Sequence, residues 1–375
     1  MLENYPDSRR LSARTIFLPF LLHTLLVIGS YLLAEYLPSR DPAGFINPDI
    51  GQHPIVSKLI KWDAHWYTYI VDNGYTTQSI VFFPVIIIFI KLLTFININT
   101  AAAGLLICNL FAFLSFWAMG AAFRLDMPES TTMKALLAYG VMPTAFFLNS
   151  VYTEPLFISF ALTCIYFARQ QKWWLAAAFA ALATLTRNIG IILLLFLIVE
   201  LYQNSSTTPR SKLFLLLPPA ALMGFLLYNL WLTGNLFTFY YSQQLWGREF
   251  DYPWINIFNN ILLIFKQWPY VEPGVFLDSC LVLLSIIGLT TLSLHPCFKI
   301  RPSYLVLGWL WLIIPLFSTS SVLPLYSLSR FVLILFPLYI FLAQVSKAIF
   351  YSFMIVSSLT LLICASLFMN WYWIG

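Results

Sequence analysis

The sequence predicts an all-α chain that crosses a membrane many times, and three observations carry that prediction. Hydrophobic residues make up 60% of the 375, charged residues only 9%, and the mean hydropathy is +0.82. A soluble domain carries roughly 25% charged residues, so this composition excludes a cytosolic enzyme. Apolar runs recur along the whole length, which equally excludes a soluble domain held by one anchor. Residues 1–375 read as a single membrane-embedded domain.

The elements follow in order. Met1 to Arg14 contains acids and a proline and precedes an apolar run too long for a signal-peptide core, so that run reads as a retained first span. The apolar stretches predict spans at about 15–37, 101–123, 134–150, 154–169, 173–187, 189–203, 213–233, 275–294, 303–319, 331–346 and 350–370. Several fall short of the roughly 20 residues that cross a bilayer without strain. One further stretch, 80–96, opens with Phe82-Phe83-Pro84 and carries Lys91.

Charge decides how to treat that stretch. Basic residues cluster at Arg9/Arg10/Arg14, Arg124/Lys134, Arg169/Lys172, Arg210/Lys212, Lys299/Arg301 and Lys347. If 80–96 is re-entrant or interfacial, all six clusters fall on the cytoplasmic side, as the positive-inside bias requires. If it crosses, they alternate sides. Eleven spans result, with the N-terminus inside and the C-terminus outside. The large outer segments are then 38–80 and 234–274, rich in Trp, Tyr and mixed charge, whereas the inner loops, such as Gln203 to Lys212, are short. Chemistry belongs to the outer face. The formal net charge of +5 reflects this loop asymmetry and not nucleic-acid binding.

Other motifs are lacking. Cys108, Cys164, Cys280, Cys297 and Cys364 contain no CxxC, and His23, His53, His65 and His295 form no ligand cluster, so neither a disulfide framework nor a metal site is expected. Walker, GxSxG and HExxH patterns do not occur. No cofactor is called for.

Four places interrupt the apolar text with chemistry. The first outer segment reads Lys61-Trp62-Asp63-Ala64-His65-Trp66-Tyr67, and 57–71 has the spacing of an interfacial helix. Asp63, between two tryptophans, is placed for desolvation toward a general base; the same residues also suit an interfacial aromatic belt. Tyr152-Thr153-Glu154-Pro155 follows, where Pro155 starts a helix and Glu154 either favours that helix N-terminus or binds a sugar hydroxyl and supports the base. Arg187-Asn188-Ile189-Gly190 breaks an apolar run; an arginine there needs a partner, and a phosphate matches its fork, although snorkelling is the alternative. Snorkelling suits Arg330 better, because it stands at a span boundary. In the second outer segment Gln244, Trp246 and Arg248 suit both carbohydrate stacking and interface packing.

The order WDAHWY, FFP, FFLNSVYTEPLF, LTRNIG and SRFVLILFPLY resembles the PIG-V type of GPI mannosyltransferase, more closely its bacterial relatives, across Trp62 to Leu342. The resemblance implies a GT-C glycosyltransferase fold with about 11 transmembrane helices and an active site formed by outer loops at the membrane surface. It also implies a polyprenyl-phosphate-linked sugar donor, mannose by analogy, and a glycan, lipid or protein acceptor. Asp63 matches the family's acidic catalytic position. Glu154 and Arg187 occupy its YSE-like and TRS-like positions, with Thr153 and Asn188 where serine is common. On this reading Arg187, Arg330 and His65 bind the donor phosphate, and Trp62, Trp66, Tyr152, Glu154, Asn188, Gln244, Trp246 and Arg248 contact substrate. The bacterial plasma membrane is the expected location. The rival reading is a lipid-linked-sugar transporter, whose charges would cluster near the bilayer midplane; a transferase of the same fold with another sugar is the nearer alternative.

Overall fold

A computed structural model describes residues 11–48, 50, 54–203, 209–320 and 322–375. Arg9, Arg10, His53 and the side chain of Arg210, all used above, lie outside that description.

The chain is an all-α membrane protein. Five helices are long and apolar enough to cross a bilayer: Ala13–Ala34, Thr100–Phe123, Ser211–Thr233, Pro273–Leu294 and Lys347–Met369. At 1.5 Å per residue each spans the roughly 30 Å hydrocarbon layer or nearly so. The first and last pack side by side; Ser366 Oγ donates to Ser30 O at 2.8 Å and Asn370 Nδ2 to Ala34 O at 2.8 Å. Their outer faces, with Phe17, Leu25, Leu32, Ile355 and Val356 exposed, suit lipid. Proline opens many of the helices, at Pro84, Pro155, Pro253, Pro273, Pro302 and Pro337, where its missing N–H costs nothing.

The other six predicted spans are shorter helices, and some are interrupted. The stretch 134–150 is a helix Glu129–Gly140, a turn, and a 3-10 segment Ala145–Leu148, because Pro143 disfavours the helical conformation at the residue before it. Likewise 331–346 divides into Leu328–Val332 and Phe336–Gln344 just before Pro337. The stretch 189–203 begins as a 3-10 turn, Asn188–Ile192, and continues as Leu193–Gln203. The helix expected over 57–71 is broken: Pro54–Leu59 and Asp63–Asn73 meet at Trp62, whose φ of 52° lies outside the helical region.

The segment 80–96 contains an 11-residue helix, Pro84–Thr94, only about 16 Å long. Its flanks return to each other, since Thr100 Oγ1 donates to Asp72 Oδ1 at 2.5 Å and Lys91 Nζ to Val71 O at 2.9 Å. These two bonds bring the residues on either side of the segment close together in space.

The helix Glu154–Arg169 sets the axis of the fold. Its C-terminal end carries Arg169, which donates to Asp126 at 2.5 Å, and Asp126 also takes Arg301 at 3.3 Å and the Tyr304 hydroxyl at 3.0 Å. Its N-terminal end carries Glu154. Sixteen residues put these two polar clusters about 24 Å apart, at opposite ends of the apolar bundle.

Candidate active site

Four distant segments meet around Glu154. Trp62 adopts its left-handed φ with the indole wedged edge-on against Trp373 and Trp371, ring centroids 4.9 and 5.6 Å away. A non-glycine residue held there stores roughly 1–3 kcal/mol of strain, and the Tyr152 hydroxyl, donating to Lys61 O at 3.1 Å, helps to hold it. The break sets Asp63 at the head of the helix Asp63–Asn73, where its charge also suits the helix dipole.

Arg330 approaches from the other side. Tyr326 and Ser327 both have positive φ, and the Ser329 N–H donates to Asp278 Oδ1 at 2.7 Å, so the turn before Arg330 is firmly set. The guanidinium lies 4.6 Å from the Tyr152 ring centroid; Nη1 donates to Asp63 Oδ2 at 2.8 Å and Nε to Glu154 Oε1 at 2.9 Å. Arg187 gives a third arm. It stands between the helix Trp173–Thr184 and the turn Asn188–Ile192, over the Phe331 ring at 4.4 Å, and donates to the same Glu154 Oε1 at 2.6 Å. That turn passes so close to the preceding helix that only Gly190 fits: a Cβ there would sit 2.4 Å from the Ala183 carbonyl carbon. The result is one chain of charges, Asp63–Arg330–Glu154–Arg187.

The far wall comes from the second outer segment. Trp246 Nε1 donates to Gln78 O at 2.9 Å, and its ring meets Trp66 and Phe82 at 5.4 Å each. Arg248 follows Gly247, which has φ 65°, and precedes the strand Glu249–Phe250, paired antiparallel with Ser318–Thr319. Between these walls lies a cavity of about 190 Å³.

Of the residues expected at a site, Asp63, Trp62, Trp66, Arg187, Asn188, Trp246, Arg248 and Arg330 line this cavity. Tyr152 and Glu154 stand behind its wall, fully buried, as supports for the arginines. Glu154 Oε1 is taken up by the Arg187 and Arg330 guanidiniums, a role that neither of its sequence readings named. Arg330, expected to snorkel, is buried and doubly paired.

Two expected residues lie elsewhere. His65 stacks on Trp371 with its Nδ1 accepting from the Asn47 N–H at 3.3 Å. Burial, and then the charge of Lys61, pushes its pKa down to about 4, and it stands outside the cavity lining. Gln244 is exposed; its neighbour Gln243 lines the cavity. The sequence reading passed over Phe45, Gln243, Tyr326, Trp373 and Asp278. Only Asp278 carried a signal, as an acid inside an apolar span; the others became neighbours through the tertiary fold.

No protein-family model matches the chain, and no curated protein matches it.

Proposed function

We propose that the protein is a membrane glycosyltransferase that moves a sugar, mannose in the first instance, from a polyprenyl-phosphate donor to an acceptor hydroxyl. The observation that carries this reading is Asp63: a carboxylate facing a cavity walled by tryptophans and guanidiniums, at one end of an apolar helical bundle. Aromatic faces suit a sugar ring, cations suit a phosphate, and the surrounding lipid supplies a place for a polyprenyl chain. The charges cluster at one end of the bundle and not at its middle, which favours an enzyme over a transporter.

The same reading takes the chain as a GT-C type protein with eleven crossings, in which the short helices complete the bundle and 80–96 stays at the outer face. Arg124, Arg169 and Arg301 meet near the opposite end, which the positive-inside bias makes cytoplasmic. The site then opens to the exterior or periplasm of a bacterial plasma membrane.

In the reaction Asp63 takes the proton of the acceptor hydroxyl as its oxygen attacks the anomeric carbon. The anomeric C–O bond breaks, its electron pair goes to the phosphate oxygen, and polyprenyl phosphate leaves. A single displacement inverts the anomeric carbon. Arg330 orients the base, and Glu154 holds Arg330 and Arg187 in place.

The test is transfer from polyprenyl-phosphate mannose by purified protein, with native membrane lipids and glycans as acceptors. Folded Asp63→Asn should lose about 10²–10⁴ in turnover, the usual worth of a general base. Equal turnover in the two proteins would remove Asp63 from the mechanism.

A further inference from the structure

The three cavity guanidiniums are not equivalent. Arg187 is paired with Glu154, and Arg330 with both Glu154 and Asp63. Among the described residues Arg248 has no carboxylate within ion-pair distance. Its Nη1 donates to the neutral Gln243 Oε1 at 3.1 Å, its guanidinium lies 4.8 Å from the Tyr326 ring centroid, and its buried Nε–H has no acceptor at all. Three guanidiniums against two carboxylates leave the site with one positive charge, and Arg248 holds it.

Resting on the glycosyl-transfer reading, we infer that Arg248 is the group that binds the donor phosphate, in place of Arg187 or His65. A buried N–H without an acceptor carries a cost that phosphate oxygens would remove, and Nε with one Nη form the fork that takes two oxygens at once. Drawing Arg187 away would instead leave the buried Glu154 with one partner fewer. The charges also match. A sugar-phosphate-polyprenyl diester carries one negative charge and gains a second as the anomeric C–O bond breaks, so an uncompensated cation serves the transition state more than the bound donor. Arg248 is held for this task by Gly247, by its own N–H donating to Gln243 O at 3.0 Å, and by the strand pair that follows. Burial lowers its pKa below the ordinary arginine value, Arg330 and Arg187 add to that, and Tyr326 and Asp63 oppose it; a bound anion would support the charged form.

The test titrates purified full-length protein with citronellyl phosphate, a short isoprenyl phosphate, and with citronellol as the uncharged control, read by tryptophan fluorescence. Trp62, Trp66, Trp246 and Trp373 all face the cavity. Wild type should bind the phosphate at least about tenfold more tightly than the alcohol. Arg248→Gln should abolish that preference, and Arg248→Lys, which keeps the charge and loses the fork, should keep part of it. Should the glutamine variant fail to fold, the lysine variant carries the comparison through the phosphate-dependent rise in melting temperature. A preference unchanged in the Arg248 variants, or equal binding of phosphate and alcohol by wild type, overturns the assignment. Transfer assays on the same samples separate the two readings. An Arg248→Gln enzyme with unchanged kcat/KM for the donor sinks the anion site and leaves the transferase; phosphate binding that depends on Arg248 without transfer from any sugar donor does the reverse.

Discussion

Helix phase decides which side chains of the first outer segment reach the cavity. Asp63 and Trp66 are three residues apart on Asp63–Asn73 and share a face, whereas His65, two from Asp63, points about 200° round toward Trp371. The same arithmetic separates Gln243 from Gln244, one residue and about 100° apart on Thr238–Leu245. Residue type alone therefore marked Asp63 and Arg187 as candidates, because charge in apolar text needs a reason, but it read Arg330 as a snorkelling side chain, and neighbours of similar chemistry could be sorted only once the phase was known. Glu154 shows what such a residue carries. It is fully buried, and its one oxygen serves two guanidiniums. Glu154→Gln should cost about 3–5 kcal/mol, the usual penalty for leaving buried charges unpaired, and lower the melting temperature accordingly. Adding Arg187→Gln should recover part of that loss, since it removes one of the stranded charges; a double variant that melts lower by the sum of the two singles would show that the pair is not coupled.

At the scale of elements, the five long helices were visible as apolar runs, but the breaks inside the shorter ones were not. A helix apolar all round has no hydrophobic stripe to lose phase, so composition reads straight through the turns at Met142 and Leu335, whereas the polar Arg187-Asn188 pair did mark a break. Those turns are what place the site: Arg187 stands between the helix Trp173–Thr184 and the 3-10 turn, and Arg330 follows the left-handed Tyr326-Ser327 pair. Gly190 is the residue on which the first of these turns depends. A methyl group there would overlap Ala183 and Thr184 backbone atoms at 2.4–2.5 Å, and backbone cannot yield as a side chain does. Gly190→Ala should push the turn off the helix, carry Arg187 away from Glu154, and lower both the melting temperature and sugar transfer. A variant with wild-type melting and transfer would show that the turn has room to move and that Arg187 is not positioned by it.

The whole molecule is organised by its two polar ends, joined by the helix Glu154–Arg169. At one end are Asp63, Glu154, Arg187, Arg330 and Arg248; at the other, Asp126 gathers Arg169, Arg301 and Tyr304. The positive-inside reading of the sequence expects two such ends, with the Asp126 end inside, and it requires that 80–96 does not cross. The bond from Thr100 to Asp72 and the 11-residue length of Pro84–Thr94 are compatible with that requirement. Labelling can test it with a thiol reagent that does not cross membranes, on sealed vesicles of either orientation. Asn73 and Asn97 are exposed and flank the segment, and Cys297 is exposed near Arg301 at the other end. Asn73→Cys and Asn97→Cys, each in a Cys297→Ser background, should both be modified from one side, and native Cys297 from the opposite side. Labelling of the two asparagine positions from different sides would make 80–96 a crossing, move every later loop to the other face, and separate the Asp63 segment from the arginines that meet it here.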